Sequence, residues 1–219
     1  ALVRGLAHEI KNPLGGLRGA AQLLEREIND DSLKEYTRII IGEADRLQNL
    51  MNRMLGPNDI PHIQVTNIHT VLERVRELVL VEVGDGLKIR PDYDPSLPDL
   101  QADPELLVQA LLNIVRNAAQ ALEGSGEIVL RTRVKRQFHI GAHKHRLVAA
   151  IDVVDNGPGI PVELQEKIFF PMITTRDEGT GLGLSIAQSL VARHKGLIEC
   201  NSRPGNTVFT MLLPLDDSK

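Results

Sequence analysis

The first 55 residues carry an apolar stripe that two helices cannot bury on their own. Apolar residues recur at Leu2, Leu6, Ile10, Leu14, Leu17, Ala21, Leu24 and Ile28, and again at Leu33, Ile40, Ala44, Leu47, Met51 and Met54, with Thr37 as the one polar exception. This three-to-four spacing is that of a coiled-coil-like seam. Asn29-Asp30-Asp31-Ser32 supplies a break and a helix N-cap between the two halves. The pattern predicts a helical hairpin whose stripe needs a partner. A second copy is the simplest one, giving a four-helix bundle about a two-fold axis.

Gly56-Pro57-Asn58-Asp59-Ile60-Pro61 reads as a linker, and beyond it the periodicity changes. A helix is expected at Ile68–Val81, capped by Asn67, then a strand at Leu87–Tyr93 and a helix from Asp103 to Leu122. Strand patterns follow at Glu127–Lys135, Arg146–Asp155, Gly196–Asn201 and Thr207–Leu213, with a helix at Leu182–His194 among them. Helices and strands mixed without strict alternation predict an α+β fold, one sheet covered by helices on one face. Aromatic residues make up only 3% and Trp is absent, so the cores must be aliphatic.

Composition also narrows the function. The net charge is −4, with no long basic run, so nucleic acid is not an expected partner. No apolar stretch approaches the roughly 20 residues that span a bilayer, so no membrane association is expected. A single cysteine, Cys200, cannot form an internal disulfide and is expected to pack rather than react. The chain opens without Met, inside a helical pattern, so an upstream part that senses a signal is expected. His139, His143 and His145 read as a solvated hairpin tip rather than a metal site.

Two groups of residues point to chemistry. His8 lies about 160–200° around the helix from Leu6 and Ile10, so it faces away from the seam. Glu9 is positioned to hold or remove a proton on one ring nitrogen, leaving the other nucleophilic. Asn12 is one turn on, over the same patch. Pro13 and Gly15-Gly16 weaken the helix just beyond, and a bend there would let the histidine reach outward.

The second group lies in the later segment. Asp155-Asn156-Gly157-Pro158-Gly159 follows a strand, where a carboxylate can accept from an adenine amino group and glycines admit a base closely. Gly179-Thr180-Gly181-Leu182-Gly183 precedes a helix, a place where backbone N–H groups bind anions. Asn113 and Asn117 sit one turn apart on a mostly apolar helix. Their amide oxygens suit Mg²⁺, although two satisfied core asparagines would look the same.

Leu6-Ala7-His8-Glu9-Ile10-Lys11-Asn12-Pro13-Leu14 resembles the H-box of the histidine kinase phosphotransfer domain, and the later motifs, in this order, resemble the N, G1, F and G2 boxes of the GHKL (Bergerat) ATP-binding domain. The resemblance implies a dimerisation and phosphotransfer domain at 1–56, a linker at 57–66 and an ATP-binding domain at 67–219. It implies His8 as phosphoacceptor, Glu9 assisting proton removal, and Asn12 positioning water for dephosphorylation of a partner. Asn117 would be the main Mg²⁺ ligand with Asn113 beside it, and Asp155 would meet adenine. Gly157 and Gly159 would flank the base; Gly179, Gly181, Leu182 and Gly183 would lie at the phosphates. Phe169 and Phe170 occupy the F-box position, and Thr207 matches a late position in the nucleotide pocket.

There are departures from the family pattern. Met172 stands where a second F-box phenylalanine is common, and Gln120 where a basic residue often follows the metal asparagine. Arg176, in a short lid at roughly 172–178, is the expected substitute for that phosphate contact. Phe169-Phe170-Pro171-Met172, the Asn113–Gln120 stretch and the His8 block resemble the nitrogen-regulation sensor kinases in particular. That implies a cytoplasmic homodimer, both kinase and phosphatase, with an upstream PAS domain, an NtrC-like response regulator as phosphoryl acceptor and a PII signalling protein as regulator. The alternatives are a GHKL ATPase driving a clamp, or an ATP-binding interaction module without kinase activity.

Overall fold

The computed structural model describes residues 2–28, 30–55, 61–174 and 181–215, with the side chains of residues 2–12, 31–32, 48–55 and 85 left aside. The chain divides into two compact units, Ala1–Asp59 and Ile60–Lys219.

The first unit is a helical hairpin of α1 (Leu2–Glu27) and α2 (Asp31–Leu55). Helix α1 runs through Pro13 without interruption. Helix α2 starts where the Asp30 carbonyl accepts from the Leu33 and Lys34 amides. The predicted seam splits in two. Leu14 and Ala21 on α1, and Thr37 and Ala44 on α2, are buried. Thr37 satisfies its hydroxyl locally by donating to the Lys34 carbonyl at 2.8 Å, so a polar residue sits in the seam without an orphaned group. The other register, Leu17 and Leu24 with Leu33, Ile40 and Leu47, stays exposed. Arg18–Asp45 at 2.6 Å and Arg38–Glu25 at 3.1 Å tie the two helices across their polar flanks.

The second unit is one sheet under a helical layer. Its strands are β2 (Leu87–Asp92), β4 (Gly126–Ile140), β5 (His143–Asp155), β6 (Leu197–Arg203) and β7 (Asn206–Pro214), ordered β2-β4-β5-β7-β6. Only β2 and β4 are parallel. Helices α3 (Ile68–Val83), α4 (Pro104–Ala121) and α6 (Gly183–Ala192) pack side by side, with α3 over β2, α4 over β4 and β5, and α6 over β6. Ile128, Leu130, Ile151, Val153, Phe209 and Met211 meet Leu107, Leu111, Ile114 and Leu190 in the core between the layers. A short α5 (Val162–Gln165) follows the β5 turn.

The cap expected at Asn67 is present, and Asp103, expected as the first residue of its helix, is that helix's N-cap. Asn67 accepts from the His69 and Thr70 amides, and Asp103 from the Glu105 and Leu106 amides. Two features depart from the pattern. Gln64–Thr66 (β1), within the span 57–66 expected as linker, pairs antiparallel with Leu100–Ala102 (β3), and strands of three residues carry too little alternation to be read. The β4–β5 hairpin also extends past the predicted ends, through a two-residue turn at Gly141-Ala142. His139 and His143 are exposed at that tip, but His145 is buried at 4% exposure, so the tip is not solvated throughout as expected.

Candidate functional site

Helix α4 forms the spine of the candidate nucleotide site. Its first half is apolar and anchored by the Asp103 cap; its second half carries Asn113 and Asn117 on successive turns. Asn113 lies beside the start of α6: a side chain on Gly183 would begin 3.8 Å from Asn113 Oδ1. Two turns on, the Ala121 carbonyl would lie 3.6 Å from a side chain on Gly157. The two glycine segments thus meet opposite ends of one helical stretch, with Asn117 between them.

The Asn113 amide nitrogen is buried and has no hydrogen-bond partner among the described residues. Such a group costs about 1–3 kcal/mol unless something completes it. This orphaned amide, next to a helix start whose N-cap residue, Leu182, has no polar side chain to cap it, suits an oxygen-rich ligand. The paired amides Asn113 and Asn117 are the kind of neutral oxygen donors that a Mg²⁺–phosphate group takes.

At the sheet end of the site, Asp155 closes β5 and is buried at 3% exposure. Its Oδ1 accepts from the Gly157 amide at 2.9 Å. A side chain on Gly157 would meet that carboxylate at 2.8 Å and push it out of place. Gly159 is in the left-handed region, with φ +85°, pressed against the Arg203–Pro204 backbone. Thr207 on β7 stands opposite Asp155 and is also buried.

Sequence reasoning missed Ser202. Its hydroxyl accepts from the Ile160 amide at 2.8 Å and shares a hydrogen bond with Thr207 at 2.8 Å, pinning the glycine loop to the sheet. Gln165 adds bonds to the Ile160 and Ser202 carbonyls, both at 2.9 Å. An isolated serine in a strand carries no signal that would single it out. Cys200, one register step along β6, packs half-buried; its thiol is pushed up to about 12, first by burial and then by the Asp155 charge.

The lid stems are stitched together. The Met172 amide donates to the Gly181 carbonyl at 3.1 Å, and a side chain on Gly181, φ +62°, would meet the Met172 backbone at 2.6 Å. Met172 itself holds a left-handed φ of 65°. Phe169 packs edge-on against Phe209 with centroids 6.4 Å apart, while Phe170 is exposed. The Leu182 side chain is buried at 1% exposure, so only its backbone faces the site. Arg176, Gly179 and most of the predicted lid lie outside the described residues. His8, Glu9 and Asn12 fall on the backbone of α1, and their side chains also lie outside what is described. Among the described residues no three His, Cys, Asp or Glu side chains gather as a metal site, and no helix is long and apolar enough to cross a membrane.

Residues 102–217 match the family of histidine kinase-, DNA gyrase B- and HSP90-like ATPases, and residues 1–60 match the His Kinase A (phospho-acceptor) domain. The chain is 58% identical over 217 residues to the sensory histidine kinase/phosphatase NtrB of Escherichia coli O157:H7, covering 98% of this chain and 62% of that protein. It is 41% identical to the protein of the same name from Rhizobium meliloti strain 1021, covering 95% of this chain and 56% of that one. The chain therefore spans less than two thirds of the length of these relatives. Among solved structures it resembles full-length ShkA in complex with AMPPNP, with a TM-score of 0.64 and 26% identity over 99% of this chain and 46% of that one. It also resembles histidine kinase ThkA in complex with the response regulator TrrA, with a TM-score of 0.62 and 26% identity over 98% of this chain and 61% of that one. A phospho-acceptor hairpin followed by this ATPase domain is the sensor kinase arrangement, and the chain belongs to the histidine kinase family, near the NtrB proteins.

Proposed function

We propose that the chain is an ATP-dependent autokinase that moves the γ-phosphoryl group of ATP onto His8, and that it acts as a homodimer. The observation that carries the reading is the orphaned amide of Asn113 beside Gly183, at the start of α6. A fold that leaves a buried donor unsatisfied next to an uncapped helix start is arranged for an anionic ligand rather than for its own stability.

The residues divide the work. Asp155 accepts a hydrogen bond from the adenine amino group, held in place by the Gly157 amide, with Thr207 and Gly159 beside the base. Gly179, Gly181, Leu182 and Gly183 present backbone N–H groups to the phosphates, and Arg176 reaches them from the lid. Asn117 and Asn113 would hold Mg²⁺, which when bound neutralises charge that develops on the phosphates. Glu9 keeps one imidazole nitrogen of His8 protonated, so that the other attacks the γ-phosphorus in line. The bond from the γ-phosphorus to the bridging oxygen breaks, ADP leaves, and Glu9 takes up the imidazole proton.

The phosphoryl group then passes to an aspartate of an NtrC-like response regulator, in a nitrogen-regulation pathway that a PII signalling protein adjusts. ATP as donor puts this work in the cytoplasm. Asn12, one helical turn from His8, supports a second activity, positioning water to dephosphorylate that regulator. The exposed Leu17, Leu24, Ile40 and Leu47 supply the apolar face for the second copy. The proposed division is a phosphotransfer hairpin at 1–56, a linker at 57–66 and an ATP-binding domain at 67–219, with the last part of that linker, Gln64–Thr66, already paired to Leu100–Ala102 of the second unit.

Label from γ-labelled ATP should be acid-labile and absent from His8→Gln. A chain that binds ATP, hydrolyses it and never becomes labelled would instead favour a GHKL ATPase.

A further inference from the structure

The two helices that carry the nucleotide residues are tied at the end remote from the site. His194 follows α6, and its buried ring spans two backbone groups of opposite kind. Nδ1 lies 2.9 Å from the Leu190 carbonyl, which can only accept. Nε2 lies 3.0 Å from the Asp103 amide, which can only donate. The pair fixes the tautomer: Nδ1 carries the proton, Nε2 offers its lone pair, and the ring is neutral.

Asp103 is the N-cap of α4 and is itself fully engaged. Oδ1 holds the Glu105 and Leu106 amides, and Oδ2 accepts from the His62 amide at 2.7 Å. The bond to His194 therefore joins the end of α6 to the start of α4. The end of α6 is sharply defined. The Gly196 amide bonds to the Val191 carbonyl and the Lys195 amide to the Ala192 carbonyl, with Lys195 left-handed at φ 57°, the pattern of a Schellman stop with His194 as the capping residue. Gly196 must be glycine, because a side chain there would strike the Leu212 carbonyl at 2.5 Å.

The helices run antiparallel, and the start of α6 meets the middle of α4 at the site, where Gly183 abuts Asn113. From Asp103 to Asn113 along α4, and from His194 back to Gly183 along α6, the spans are about 15 and about 16.5 Å at the usual helical rise. A slip of one residue between the helices would move Gly183 past Asn113 by about 1.5 Å. The side chains buried along both helices are aliphatic, so the bond between His194 and Asp103 is a polar tie added to their packing.

We infer that His194 is a positioning residue for phosphate binding: by accepting from the Asp103 amide it sets the register of α6 against α4, and through that register the placement of Gly183 beside Asn113. The inference rests on the nucleotide reading of that site. It assigns to His194 the phosphate part of binding and not the adenine part, which belongs to Asp155 on the sheet.

The test compares two substitutions of similar size in the full chain. In His194→Gln, the Oε1 atom takes the place of Nε2 and can still accept from Asp103. In His194→Asn, the shorter amide keeps the bond to Leu190 and loses the one to Asp103. Dissociation constants for Mg²⁺-ATP and for adenosine are measured at a temperature where circular dichroism shows each protein folded. The expected result is a loss of about tenfold in ATP affinity for His194→Asn, with adenosine affinity unchanged, and near wild-type values for His194→Gln. Equal behaviour of the two variants overturns the inference, as does a parallel loss of ATP and adenosine affinity in His194→Asn, which would mean general loosening. If His194→Asn does not fold, His194→Leu, which fills the volume without an acceptor, takes its place. If neither folds, His194 is a structural residue and the inference falls. Failure of the wild-type chain to bind ATP would instead overturn the nucleotide reading itself.

Discussion

Asp155 and Thr207 face each other across β5 and β7, both buried, and Ser202 on β6 continues the row by a 2.8 Å bond to Thr207. A carboxylate and two hydroxyls in one cross-strand row at a sheet end make a rigid polar shelf. Asp155→Asn should keep the bond from the Gly157 amide through its amide oxygen and lose the acceptor offered to adenine. We expect ATP affinity to fall by about tenfold or more, with a melting temperature within a few degrees of wild type. Equilibrium nucleotide titration checks this; unchanged affinity would remove Asp155 from the base pocket.

Asn113→Leu should separate stability from function. The substitution replaces a buried unsatisfied amide with an apolar side chain of similar volume. The ligand-free protein should gain about 1 kcal/mol, read as a higher urea midpoint, while ATP binding is lost. A destabilised variant would mean that the amide is satisfied in the folded chain.

Much of this was legible in advance. Asn67 announces its cap because a short polar side chain before an apolar run has one efficient use, whereas Asp103, expected inside its helix, caps it. Asn113 and Asn117 were visible as two amides on an otherwise apolar helical face. Ser202 and His194 were not, because their roles are made by partners far along the chain, 42 residues away at Ile160 and 91 at Asp103. The seam was legible as a pattern, but its division into a covered register, Leu14 and Ala21, and an open one, Leu17 and Leu24, requires knowing which face the neighbouring helix takes.

Acidification should weaken the second unit. His194 is pushed below its ordinary value of 6.5, chiefly by burial, and His69 likewise by burial against the opposing pull of Asp94 and Asp99. A group whose folded-state value is depressed binds fewer protons folded than unfolded. Its contribution is fully present above the unfolded value and is lost as pH falls through the folded one. The melting temperature should therefore drop as pH falls below the ordinary value of 6.5, and His194→Gln should flatten part of that slope, leaving the part due to His69. Equal slopes in the two proteins would show that His194 is not held neutral.

The open register of the hairpin should govern assembly. Burying Leu24 or Ile40 against a second copy contributes about 1.5–3 kcal/mol per side chain. The pair Leu24→Glu and Ile40→Glu should shift the chain from dimer to monomer in sedimentation equilibrium, with ATP binding by the second unit retained. A persistent dimer would place the partner face elsewhere.

Lys195→Gly tests the stop of α6. Lys195 holds a left-handed conformation that a side chain disfavours by about 1 kcal/mol, so glycine should raise the melting temperature by a few degrees. No gain would mean that the lysine side chain repays its strain through contacts of its own.

The central claim is tested by incubating wild type, His8→Gln and Asn113→Leu with γ-labelled ATP and Mg²⁺, then treating each with acid. The account predicts acid-labile label on wild type alone, with ATP binding retained in His8→Gln and lost in Asn113→Leu. Label that persists in His8→Gln, or that survives acid, would contradict it.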